Sequence, residues 1–160
     1  MTSGAQFLTN PLVLARETYA SLWRELLPLA RDHYAEVTTN PDIALDLATD
    51  LYERLDTLGY LRMYTARLAG RLIGYCSMTV SPHPHTGLLI AREDGIYVQP
   101  EHRGGTGAGD MLVETSDCLL AQEGIQIVQR STKVAHNHGP WLQRKGYEMI
   151  DITYSKRLGL

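Results

Sequence analysis

Four glycines fall in the six positions from Gly104 to Gly109, inside the run Val98-Gln-Pro-Glu-His-Arg-Gly-Gly-Thr-Gly-Ala-Gly109. Glycines let a backbone curl around an anion, and the N-terminus of a following helix offers unpaired N–H groups and a partial positive charge. That combination suits the grip on a pyrophosphate. Arg103 adds a fixed cation where the loop begins. The same glycines also suit a plain strand-to-helix turn. Two nucleotide loops fail on spelling. A P-loop needs lysine after its last glycine, yet Asp110 follows Gly109, and a dinucleotide loop started at Gly105 needs its third glycine where Asp110 stands. No acidic residue closes the next apolar run, Ile125 to Arg130, as a ribose contact would require.

A loop with this task must be held between a strand and a helix, and the pattern supplies both. Thr86 to Val98 reads as a strand, and Met111, Leu112, Thr115, Cys118 and Leu119 form a helical stripe that Gly124 stops. Upstream, Pro11 to Arg16 reads as a short strand. Glu17 to Val37 reads as a helix bent or restarted at Pro28. Asn40-Pro41 resembles a cap and first-turn proline for a second helix, with Ile43, Leu47, Leu51, Leu55 and Leu58 on one face up to Gly59. Period-two runs at Tyr60 to Ala66 and Leu72 to Val80 flank Ala69-Gly70 as a hairpin. Downstream come a strand at Ile125 to Arg130, a short helix around Gly139 to Lys145, and an extended segment from Tyr147 to Arg157. With no repeat or linker, residues 1–160 read as a single domain.

The composition is that of a folded globular chain, 44% hydrophobic and 21% charged, and a net charge of −3 argues against a nucleic acid as obligate partner. Cys76 and Cys118 lie inside apolar runs without metal-ligand spacing and read as buried free thiols. Met1 to Asn10 lacks the basic start and apolar core of a leader, and no segment reaches the ~20 apolar residues of a membrane span. The expectation is a cytoplasmic protein with no membrane partner. His83-Pro-His85 and His136-Asn-His138 raise a metal site with His33. No cysteine or carboxylate cluster supports one, so no metal is expected.

On its residues the loop resembles the signature of the GCN5-related N-acetyltransferases, Gln/Arg-x-x-Gly-x-Gly/Ala after a Val-x-Pro-Glu-x-Arg strand end. Val98, Pro100, Glu101 and Arg103 match the approach and Gly107-Ala108-Gly109 the close, with one residue more than usual between Arg103 and Gly107. The order of elements matches over nearly the whole chain, and the double glycine also looks like bacteriophage-encoded members. The resemblance implies an α/β fold with a mixed, mostly antiparallel sheet flanked by helices and a strand-loop-helix site for acyl-coenzyme A. It implies an N-acetyltransferase that passes the acetyl group of acetyl-coenzyme A to an amine by direct attack.

The residues carried over are these. Arg103, Gly104, Gly105, Thr106, Gly107, Ala108 and Gly109 would hold the pyrophosphate. Backbone groups of Ile96 and Val98 would pair with the pantetheine arm, and an N–H near Tyr97 would polarise the acetyl carbonyl. Asn137 would correspond to an asparagine that contacts coenzyme A. Counting in twos from Val98 puts Asp94 on the face of Ile96 and Val98, as candidate general base, and Glu36, one helical turn after His33, is a second candidate on the acceptor side. Leu142 occupies the position where the family often has a tyrosine acid, so the resemblance implies either that the coenzyme A thiolate leaves without an acid or that a group such as Tyr154 serves. Tyr34, Tyr64, His83 and His85 are expected to line the acceptor pocket. The acceptor could be a polyamine, an aminoglycoside, a protein amine or a modified nucleobase, and edge-strand pairing into a homodimer is implied. Two rival classes stay open: a non-catalytic acyl-coenzyme A-binding module of the same fold, and a nucleotide-binding domain.

Overall fold

The turn Ala69-Gly70 has φ of 51° and 79°, the left-handed pair that a tight two-residue hairpin requires. It joins β2 (Leu61–Leu68) to β3 (Arg71–Pro82), the centre of a five-stranded sheet in chain order, β1 (Leu12–Glu17) to β5 (Ile127–Gln129). The first three pairings are antiparallel, and β4 (Leu89–Val98) pairs with β5 in parallel. The computed structural model describes residues 11–159, so the leader reading of Met1 to Asn10 lies outside the described residues. Two units are distinguished, one ending at Arg130 and one starting at Ser131. Among the described residues no helix is long and apolar enough to cross a membrane.

Alternation along β2 and β3 sends successive side chains to opposite faces, and each face has its own core. Against one face α1 (Tyr19–Val37) packs Tyr19, Leu22, Leu26 and Leu29 on Leu61, Met63, Leu72, Tyr75 and Tyr97. Against the other, α3 (Ala108–Gln122) packs Ala108, Leu112 and Leu120 on Tyr64, Ile73, Cys76, Met78 and Val98. α1 is capped by the Thr18 hydroxyl, which accepts from the Ser21 N–H, and it runs on past Pro28 as one helix.

Two helices depart from the sequence reading. The second helix, α2, spans only Thr49–Thr57 instead of starting at Asn40-Pro41. The Ile43 N–H bonds the Asn40 carbonyl in a local turn, and the Ile43 carbonyl is taken by the Tyr34 hydroxyl at 2.7 Å, so the first turns of a helix lose their partners. The α3 stripe is rotated: Ala108, Leu112, Val113, Ser116 and Leu120 are buried, whereas Met111 is 39% exposed and Cys118 faces solvent. Cys76 is buried as expected, and burial pushes its thiol up to about 12.

In the second unit, α4 (Gly139–Arg144) ends at Gly146 with φ 90°, as its sequence predicts. The segment from Tyr147 to Arg157 forms no strand, and Met149, Ile150, Ile152 and Tyr154 are exposed. Its apolar alternation slips phase between Met149 and Ile150, so no single face is apolar throughout.

Candidate active site

β4 and β5 pair over three rungs only, Ile90 with Ile127 to Arg92 with Gln129, and the ladder stops there. Among the described residues, β3 is the one strand that pairs with β4 beyond Arg92. The Gln99 N–H bonds the Ile73 carbonyl and sets the phase of the β3–β4 ladder, so Tyr97 exchanges bonds with Tyr75. Ile96 and Val98 therefore turn their N–H and carbonyl groups toward the side that β5 has left. The Tyr97 N–H does not, because it is committed to β3. The Val98 carbonyl accepts from Arg103 Nε at 2.8 Å, so only part of its edge is open.

Beyond Val98 a single 3-10 turn at Pro100–His102 leads into the loop. Gly104 and Gly107 have φ of 73° and 69°, the left-handed region, and Gly107 is the N-cap whose carbonyl accepts from the Met111 N–H. Thr106 braces the turn: its hydroxyl donates to the His102 carbonyl at 2.7 Å and accepts from the Ala108 N–H at 3.2 Å. Ala108 is 1% exposed, while a Cβ on Gly105 or Gly109 would meet nothing within 4 Å. The small residue that packing demands is therefore Ala108, five after Arg103. In that register the signature fits without the extra residue, with Thr106 at its first glycine. Because an L-residue in the left-handed region costs about 1–2 kcal/mol, Gly107→Val should lower the unfolding midpoint by at least roughly 2–8 °C. Gly105→Ala, with ordinary φ and open space, should leave it unchanged in the same thermal scan.

Arg103 is turned away from the glycines. Its guanidinium clamps both Glu36 oxygens at 2.9 and 2.6 Å and lies over the Tyr97 ring at 5.2 Å. The cofactor-loop arginine and the acceptor-side glutamate are thus partners in one ion pair that ties the last turn of α1 to the loop.

The face count that placed Asp94 is overturned by a bulge. Ser77 pairs with Gly95 and Met78 with Glu93, so Asp94 is the extra residue. The bulge flips the alternation: Glu93 joins Arg130 on the α3 face, while Asp94 and Tyr97 point to the α1–α2 face, opposite Ile96 and Val98. There the Asp94 carboxylate accepts from the Tyr52 hydroxyl at 2.7 Å and the Ser77 hydroxyl at 3.1 Å. Burial, then the Asp94 bond, raise the Tyr52 pKa, so its phenol stays protonated as donor. His33 Nδ1 and the Tyr75 hydroxyl stand 2.7 Å apart, and the imidazole stacks on Tyr97 at 5.1 Å between centroids.

The expected acceptor pocket is not assembled. Tyr64 is buried on the α3 face, Tyr34 is bonded to Ile43 on the other, and His83 and His85 sit in the β3–β4 connection. Asn137, His138, Leu142 and Tyr154 belong to the second unit, where Asn137 Oδ1 accepts from the Gly139 N–H at 2.8 Å, Leu142 is buried and Tyr154 is 90% exposed. Tyr52, Tyr75 and Ser77 were missed by sequence reasoning. Tyr75 and Ser77 lie in an apolar strand and Tyr52 in a charged helix, and nothing local marks any of them as part of a polar cluster.

The parting of β4 from β5 beside a glycine-rich helix start, with a polar cluster on the other face of the sheet, is the arrangement that the N-acetyltransferase resemblance implies. The acetyltransferase (GNAT) domain model matches residues 59–149, and the chain belongs to this family, which uses acetyl-coenzyme A. The fold is shared with an aminoglycoside acetyltransferase from an uncultured soil metagenomic sample, at TM-score 0.75 and 15% identity over 94% of this chain and 98% of that one. It is shared with the ribosomal-protein-alanine N-acetyltransferase of Brucella melitensis biovar Abortus 2308, at TM-score 0.65 and 24% identity over 92% and 99%. A predicted acetyltransferase with acetyl-CoA from Clostridium acetobutylicum matches at TM-score 0.70 and 13% identity over 92% and 96%. No curated protein sequence matches the chain.

Proposed function

We propose that the protein transfers the acetyl group of acetyl-coenzyme A to a primary amine by direct attack. The observation that carries this reading is the parting of β4 from β5 after Arg92, beside the N-terminus of α3. The gap has backbone donors and acceptors along one wall, at Ile96 and Val98, and a 15-residue helix start at its mouth. The pantetheine arm would pair with that wall, and the N–H groups of Gly107 and Gly109 would meet the pyrophosphate. Outward N–H groups at Ile96 and Val98 are fixed dipoles that can stabilise the developing oxyanion.

The amine would reach the thioester from the α1–α2 face, where Asp94 stands at the bulge and draws the protonated acceptor in. Once the ammonium has shed one proton, its nitrogen bonds the carbonyl carbon, the C–S bond breaks with its electron pair on sulfur, and the remaining extra proton on nitrogen passes to the thiolate. Thiols ionise at about pH 8.5, so the sulfur can leave without an acid at Leu142.

Acetyl-coenzyme A at about 100 times its dissociation constant should stabilise the fold by roughly 2.7 kcal/mol, raising the unfolding midpoint by about 5–10 °C. ATP and NAD should not. Equal shifts with all three, or none with any, would remove the loop as a donor site, and release of coenzyme A with spermidine, kanamycin or a peptide amine tests the transfer.

A further inference from the structure

The apolar stripe of α1 runs Leu22, Leu26, Leu29 and Ala30 against the sheet, and the next positions at helical spacing are His33 and Glu36. The helix thus keeps its packing face but changes its chemistry where it crosses the β4 bulge. The imidazole fits there because residue 95 is glycine: a Cβ on Gly95 would stand 3.1 Å from His33 Cε1. One edge is held by the Tyr75 hydroxyl and one face by Tyr97. The ring is half-buried rather than sealed off.

We propose that His33, oriented by Tyr75, takes the proton from the acceptor amine. The inference rests on the acetyltransferase reading. An amine must shed one proton before it can attack, and an imidazole, titrating near pH 6.5 when unperturbed, suits that transfer better at neutral pH than a carboxylate titrating near 4. The role requires the tautomer in which Nδ1–H donates to the Tyr75 oxygen, which puts the lone pair on Nε2. The ammonium N–H bond breaks, its proton moves to Nε2, and the imidazolium releases it to solvent after transfer.

Groups of both signs surround the ring. Tyr75 meets it from β3 and Tyr97 from β4, the Asp94 carboxylate lies on the same face of the sheet, held by the Tyr52 and Ser77 hydroxyls, and the Arg103–Glu36 pair lies beyond Tyr97. Burial, ahead of the charges of its neighbours, raises the Tyr75 pKa, so it remains a phenol through the assay range. Asp94 then recruits the cation and His33 deprotonates it.

The test is the pH profile of kcat/KM for coenzyme A release, with spermidine, kanamycin and a peptide amine as probes, in the wild type, His33→Gln and Tyr75→Phe. The wild type should lose rate as the pH falls, through an acid-side inflection. His33→Gln should fall about 10²-fold or more and lose the inflection while keeping its stabilisation by acetyl-coenzyme A. Tyr75→Phe should retain a displaced inflection, which separates proton transfer from packing if His33→Gln folds poorly. Wild-type rate and inflection in His33→Gln would overturn the role of His33 alone. No release by the wild type with any probe, despite binding acetyl-coenzyme A, would overturn the transferase reading and this inference with it.

Discussion

Arg130→Ala is expected to destabilise the protein by about 3–5 kcal/mol, lowering the unfolding midpoint by roughly 6–20 °C. The Arg130 side chain is 0% exposed and that of its partner Glu93 is 3% exposed, with Nη1 to Oε2 at 2.7 Å. Arg130 Nη2 donates to the Ser116 hydroxyl and to the Asp117 carboxylate, both at 2.7 Å, on α3. Removing the cation leaves a buried carboxylate without its counter-charge, which costs far more than losing a surface pair. Arg130→Met with Glu93→Gln removes both charges and should recover most of the loss. The location gives the effect a functional side. Glu93 and Arg130 each follow the last β4–β5 rung, Arg92 with Gln129, so the pair stands at the apex of the splay. Acetyl-coenzyme A should therefore stabilise Arg130→Ala less than the wild type. Chemical denaturation of the three proteins decides it, and a loss below about 1 kcal/mol for Arg130→Ala would show that the site is hydrated.

The second large effect is kinetic. Asp94→Asn should lower kcat/KM for the amine by roughly 10- to 100-fold, mainly through KM, because a hydrogen bond to a charged group contributes about 1.5–3 kcal/mol. Asparagine can still accept from Tyr52 and Ser77 through its carbonyl oxygen, so the bulge and the unfolding midpoint should be preserved. Tyr52→Phe removes one neutral donor from the carboxylate and should cost only about 2- to 10-fold. An unchanged KM in Asp94→Asn, with kcat reduced instead, would make Asp94 a proton acceptor and remove its role in recruiting the cation.

How much of this was legible beforehand depended on whether a property is local. The hairpin at Ala69-Gly70, the stop of α3 at Gly124 and the strand-loop-helix around Gly107 follow from residues within a few positions of each other. The second helix was read too long because its stripe took no account of a hydroxyl from α1, Tyr34, capturing the Ile43 carbonyl. Asp94 was found by type and neighbourhood, yet its face was read wrongly, since a bulge is defined by what lies opposite on β3.

The sequence by itself determined the hairpin, the glycine loop at a helix start and the family, because glycine φ, helical spacing and period-two alternation are properties of neighbouring residues. Only the tertiary structure decided that Arg103 closes on Glu36, that Asp94 turns toward Tyr52 and Ser77, and that His33 meets Tyr75 over Gly95. These contacts join residues 17 to 67 positions apart. Their geometry is fixed by strand register and helix docking, which depend on the packing of the whole core and on no single stretch of chain.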